Sequence, residues 1–152
     1  MLIQEELPAG DRLYPWMTLV ANILLRRTKG DQVRKVLYEV LGRWPTPEDL
    51  ADAGEDELRG VIGGTGLGER KAAALRRMSE MYLLREPKTY QDLPGSWKYA
   101  RESWRIFVDG DLNFSPTDKS LLSYVRKFGH PKVGTSKNRP SDAELLLGLG
   151  PV

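Results

Sequence analysis

Residues 90–107 read YQDLPGSWKYARESWRIF, a polar lead-in, a Leu-Pro-Gly turn and then a run with helical period. Proline has no N–H to donate and glycine adopts turn dihedrals freely, so Pro94-Gly95 marks a reversal of the chain. Beyond it Ala100, Trp104 and Phe107 return every three to four residues, which puts them on one inward face of a helix running to about Val108. A turn feeding an amphipathic helix is the unit from which the rest of the chain is read.

Upstream the same period recurs. Leu13 to Thr28 carries Trp16, Leu19, Val20, Ile23 and Leu24 on one face, with Pro15 tolerated in the first turn. A second helix starts at Gly30-Asp31 and repeats the pattern through Val33, Val36, Leu37, Val40, Leu41 and Trp44. Thr46 is an expected N-cap ahead of Pro47, with Leu50, Ala51 and Ala53 behind it. Glu55 to Ile62 reads as a short helix with Leu58, Val61 and Ile62 inward, and the glycines from Gly63 to Gly68 interrupt the period. From Glu69 a long helix runs towards Arg85 with Ala74, Leu75, Met78 and Tyr82 as its stripe. Downstream, Asp109 to Thr117 is loop, Asp118 stands where an N-cap belongs, and Leu121, Leu122, Val125 and Phe128 form the next stripe. Ser141 and Glu144 have capping-box spacing for a last short helix through Leu147.

No segment alternates with period two and the connections are short, so the expected class is all-α with about eight to ten short helices. A chain of 152 residues corresponds to one domain, here 1–152, whose polar end from 129 onward reads as a partly mobile tail. Hydrophobic residues are 40% and charged residues 29%, a balance that suits a globular protein and excludes a fibrous one. Cysteine is absent and His130 is the one histidine, which excludes disulfides, thiol nucleophiles, Cys-ligated clusters and multi-His metal sites. Chemistry must therefore run on carboxylates, hydroxyls, amides, Arg or Lys, with no metal or cofactor expected.

The net charge of +2 is by itself a weak argument for a polyanionic partner. Its distribution says more: Arg26-Arg27-Lys29, Arg70-Lys71, Arg76-Arg77, Arg126-Lys127 and Lys132 to Arg139 are basic clusters, although solvated helix faces account for such clusters equally well. No apolar run reaches the roughly 18 residues of a membrane span and the start lacks a leader pattern, so the expected location is intracellular.

GGTGLGERK at 63–71 lacks the spacing of a phosphate-binding P-loop and follows no strand; it reads as a tight turn between helices from which Leu67 projects or into which it packs. Asp109 and Asp111 lack the spacing of a calcium loop and read as a solvated turn. Asp118 alone is an ordinary N-cap.

Together, however, Leu93-Pro94-Gly95, the pair Lys98-Tyr99 and Asp118 resemble the helix-hairpin-helix DNA glycosylase superfamily, whose hairpin reads Leu-Pro-Gly, a small or apolar residue, Gly and Lys. Leu2 to Glu5, Pro15-Trp16, Leu25 to Thr28, Gly66-Leu67, Gly95 to Tyr99, Trp104 to Phe107 and Pro116 to Asp118 are similar, in order, to the motifs of its thymine/uracil mismatch glycosylases, in particular the methyl-CpG-binding-domain type. The likeness covers residues 2–128. Two departures stand out: Trp97 occupies the place of the hairpin's second glycine, and the segment from Gln4 to Pro15 is longer than in the family pattern.

The resemblance implies two helical lobes around a DNA-binding cleft, and a monomer acting on double-stranded DNA that carries a mismatched or modified pyrimidine. It implies that the nucleotide is extruded, with Arg27 entering the vacated stack and Leu67, supported by Gly66, wedging the opposite strand. Pro94, Gly95, Ser96, Trp97 and Lys98 would grip backbone phosphate. Asp118 would be the catalytic carboxylate, and Gln4 and Tyr99 would read the base edge, Tyr99 also assisting its departure. Where strand-cleaving relatives carry a Schiff-base lysine this chain has Tyr99, and Lys98 lies about 100° around the helix, so the implied enzyme is monofunctional. A glycosylase for another damaged pyrimidine, or a non-catalytic DNA-binding module with Asp118 as a mere cap, remain the alternatives.

Overall fold

The computed structural model describes residues 1–63 and 68–129. Among these residues regular structure is entirely helical. The chain divides into two compact units, Met1–Val108 and Asp109–Val152.

The first unit holds α1 (Ile3–Glu6), α2 (Tyr14–Leu24), α3 (Gly30–Arg43), α4 (Pro47–Ala51), α5 (Glu55–Ile62), α6 (Gly68–Leu84), a 3-10 turn at Tyr90–Asp92 and α7 (Lys98–Phe107). Its core is the set of stripes expected from the periodicity: Trp16, Leu19, Val20, Ile23, Leu24, Val33, Leu37, Val40, Leu58, Ile62, Leu75 and Trp104 are all buried. Each such side chain contributes about 1.5–3 kcal/mol on leaving water. α2 is central, packing against α1, α3, α6 and α7, while α4 and α5 lie on α6. The Trp16 indole donates to Ser79 Oγ at 3.0 Å, which joins α2 to α6 without leaving the buried N–H unpaired.

Local signals set the boundaries. Thr46 caps α4, its hydroxyl accepting from Asp49 N at 3.1 Å with Pro47 in the first helical position, as expected. Two expectations for this unit need correction. The helix expected over Leu13–Thr28 stops at Leu24, because the next residues fold into a separate turn in which Arg27 takes φ 51°, incompatible with a continuing right-handed helix. On α7, Phe107 is only half-buried, whereas Ser103 and Ile106 join Trp104 and Ala100 inside.

The approach to α7 is anchored by Asp92, whose carboxylate accepts from the backbone N–H of Lys88 and of Thr89 at 2.8 and 3.1 Å. These N–H groups hold its pKa below the usual value. Arg105 and Arg101 stand over the Tyr90 ring, 4.9 and 5.8 Å from its centre, and so tie the 3-10 turn to α7.

In the second unit a loop from Asp109 leads to α8 (Lys119–Phe128). Asp111 accepts from Asn113 N at 2.8 Å, the local turn expected of VDGD. Leu121 and Val125 are buried on α8, but Phe128 is exposed rather than inward, its ring tilted against that of Tyr124 one turn back with centroids 4.6 Å apart. Gly129 ends the helix where any β-carbon would lie 2.6 Å from Val125 O and 2.9 Å from Leu112 O, so the loop and the helix end can meet only over a glycine. The tail and the expected helix at Ser141–Leu147 lie outside the described residues.

Candidate active site

Gln4 and Tyr99, nominated ninety-five positions apart in the sequence, meet. Gln4 Nε2 donates to Tyr99 Oη at 3.0 Å, to Asn22 Oδ1 at 3.1 Å and to Ser103 Oγ at 3.2 Å. Three oxygens around one nitrogen fix the orientation of the amide. Its backbone is held too, since Tyr14 Oη donates to Gln4 O at 3.1 Å. The long segment after Gln4 is taken up in successive turns, Asp11 N to Pro8 O and Tyr14 N to Asp11 O, which return the chain to α2.

A second anchor reaches α1 from α3. Arg34 Nε and Nη2 grip the Glu6 carboxylate at 2.6–2.9 Å. The guanidinium hydrogen bond holds the Glu6 pKa below its ordinary value, against the opposing effect of burial. A four-residue helix has little stability of its own, so these contacts and the burial of Ile3 are what position Gln4.

Gln4 is 1% and Asn22 7% exposed, and both keep one half of the amide unused: Gln4 Oε1 and Asn22 Nδ2 have no partner among the described residues. An unsatisfied buried polar atom costs about 1–3 kcal/mol. One hydrogen-bonded polar cluster therefore keeps an unused acceptor and an unused donor. Asn22 and Ser103 were not nominated from the sequence; the signal available was a polar residue set inside the apolar stripe of each helix.

The other nominated residues occupy separate places. Arg27 is exposed on the turn after α2 in its left-handed conformation. Pro94 to Lys98 form the turn into α7, closed by Trp97 N donating to Pro94 O at 3.0 Å. Trp97 has φ −100°, so this backbone accepts a side chain without strain and the glycine usual in the family is not required. Its N–H is engaged within the turn, leaving the exposed Gly95, Ser96 and Lys98 as the outward part of the hairpin. Lys98 is exposed while Tyr99 next to it is half-buried, as their angular separation on the helix requires. Asp118, in the second unit, is the N-cap of α8, Oδ2 accepting from Leu121 N at 3.0 Å. Gly66 and Leu67 lie outside the described residues. Among the described residues no three His, Asp or Glu side chains gather as a metal-binding group, and no helix is long and apolar enough to cross a membrane.

The sequence is 32% identical over 154 aligned residues to a thymine/uracil-DNA glycosylase of Pyrobaculum aerophilum, covering 93% of this chain and 64% of the relative. It is 28% identical over 110 residues to a methyl-CpG-binding domain protein 4-like protein of Arabidopsis thaliana, covering 72% of this chain and 25% of that one. The chain thus spans less than two thirds of the length of either relative. Among solved structures it is similar to a thermostable thymine-DNA glycosylase, with a TM-score of 0.59 at 20% identity over 74% of this chain and 65% of the other, a likeness of fold. The profile described as HhH-GPD superfamily base excision DNA repair protein matches residues 20–140, most of the chain, and with the helical fold and the order of its motifs this makes the chain a member of that superfamily.

Proposed function

We propose that this protein is a monofunctional DNA glycosylase that removes thymine or uracil mispaired with guanine, acting as a monomer. The observation that carries the reading is the buried cluster of Gln4, Asn22, Tyr99 and Ser103 with its two unused amide atoms. Thymine and uracil present an N3–H donor flanked by carbonyl acceptors. Gln4 Oε1 accepts from N3–H and Asn22 Nδ2 donates to a neighbouring carbonyl, which offsets the cost of leaving both buried atoms unpaired.

A base inside a duplex cannot offer such an edge to a buried amide, so the nucleotide is extruded first. Arg27 fills the stack it leaves, its planar cation able both to stack and to hydrogen-bond, and Leu67 supported by Gly66 wedges the partner strand. The hairpin Pro94–Lys98 holds the backbone, through the exposed Gly95, Ser96 and Lys98 more than through Trp97.

The C1′–N1 bond then breaks, its electron pair leaving with the base, where two carbonyls share the negative charge and the Tyr99 hydroxyl and Asn22 amide steady it. Positive charge grows on the sugar. The Asp118 carboxylate stabilises it and orients a water whose oxygen bonds to C1′ as Asp118 takes up its proton, leaving an abasic site. Incubation with labelled duplexes carrying T:G, U:G, T:A or another damaged pyrimidine, followed by alkaline strand cleavage, tests the assignment. Excision confined to T:G and U:G supports it. Release of only another base, or of none despite tight binding, replaces it with the corresponding alternative.

A further inference from the structure

Lys71, on the first turns of α6, takes no part in that chemistry, yet only 2% of it is exposed. Its Nζ donates to Leu24 O and to Thr28 Oγ1, each at 2.7 Å. Leu24 is the last residue of α2, so its carbonyl is among those a helix leaves without an intrahelical partner. Thr28 N turns instead to Leu25 O at 3.1 Å, and Arg26 N to Ile23 O at 3.2 Å. One ammonium thus fastens both ends of the turn 24–28. Between the two fastenings lie Arg26 and Arg27, both exposed, and Arg27 is the one non-glycine residue with positive φ among the described residues.

Filling the space alone would not call for a charge here. A methionine would fill nearly the same volume without desolvating an ammonium. Burial, with the nearby Arg26, pushes the Lys71 pKa down to about 8. What the ammonium does supply is attraction to the negative end of α2 and a tether that takes in both Leu24 O and Thr28 Oγ1. Strained backbone of this kind persists only where its surroundings over-determine it.

We propose that Lys71 is a positioning residue for base extrusion: by tying Leu24 O to Thr28 Oγ1 it holds the turn in which Arg27 is left-handed, and so presents the guanidinium pre-aimed at the stack. This rests on the reading of Arg27 as the group that fills the stack. Pre-aiming removes the ordering of the finger from the extrusion step.

The test uses Lys71→Met, and Thr28→Val as a second variant that removes one fastening from a half-buried site. Limited trypsin digestion reads the tether directly, because cleavage after Arg26 and Arg27 requires the turn to open. Both variants should speed cleavage there several-fold, with other sites unchanged. Single-turnover excision from a U:G duplex should fall about tenfold, while excision from single-stranded uracil DNA stays within about twofold. In an Arg27→Ala background Lys71→Met should add nothing. Unchanged cleavage at the turn overturns the tether. Equal losses on duplex and single strand, or losses that add to those of Arg27→Ala, overturn the positioning role. If Arg27→Ala itself leaves duplex excision intact, the stack-filling reading fails and the positioning role with it, and the trypsin result tells that failure apart from absence of the tether.

Discussion

Gln4 on α1 gives its amide Nε2 to the hydroxyl of Tyr99 on α7 at 3.0 Å, across ninety-five positions of sequence. The pair is joined in the interior by Asn22 of α2 and Ser103 of α7, so three helices set one amide. Rigid placement of this kind is what selective reading of a small planar ligand requires.

Asn22→Ala should separate recognition from stability. Removing a buried amide with an unused Nδ2 costs little, and Gln4 Nε2 keeps two acceptors, so the melting temperature should stay within a few degrees. Excision should fall about 10-fold or more if that amide meets the base. Paired thermal melts and single-turnover assays decide it; a large drop in melting temperature with unchanged excision would make Asn22 a fold residue only.

Asp118→Asn should fold and bind DNA, because asparagine caps a helix about as well as aspartate. It cannot supply negative charge to the sugar, so excision should fall about 100-fold or more. Near-normal single-turnover rates would rule out Asp118 as the carboxylate.

Arg27→Gly should keep or slightly raise the melting temperature, since glycine adopts φ 51° without the roughly 1 kcal/mol a side chain costs there. Duplex excision should nevertheless drop. A destabilised variant with full activity would show the arginine to be a solvated helix end.

Borohydride should not trap the protein on abasic DNA, because Tyr99 cannot form an imine and the exposed Lys98 lies on another face of α7. Efficient trapping would overturn the monofunctional assignment. Tyr99→Lys is expected to gain weak trapping.

The Glu6–Arg34 pair should make stability acid-sensitive. The Glu6 pKa is depressed in the folded state, so its contribution is fully present above the unfolded value near 4.5 and is lost as pH falls through the lower folded value. Arg34→Ala should therefore lower the denaturation midpoint at pH 7 and converge with the parent protein at low pH. A difference that persists unchanged at pH 2 would locate the effect in packing rather than in this pair.

The sequence by itself determined the helices, their caps and the superfamily, because these rest on relations within a few residues: apolar side chains three and four apart, Thr46 before Pro47, Asp118 before Leu121. Gln4 and Tyr99 were nominated through motif order. Their meeting was decided by tertiary structure, which folds the 8–13 segment into turns and fixes α1 through Arg34. Asn22 and Ser103 look like ordinary polar helix residues until α1, α2 and α7 enclose them. The early end of α2 was likewise undecidable locally, since Leu25 to Thr28 holds neither glycine nor proline to stop a helix; the ammonium of Lys71, forty-seven positions beyond Leu24, holds the turn that replaces it. Short-range periodicity encodes which face of a helix is apolar, but a polar side chain's partner depends on which distant element the packing brings against it.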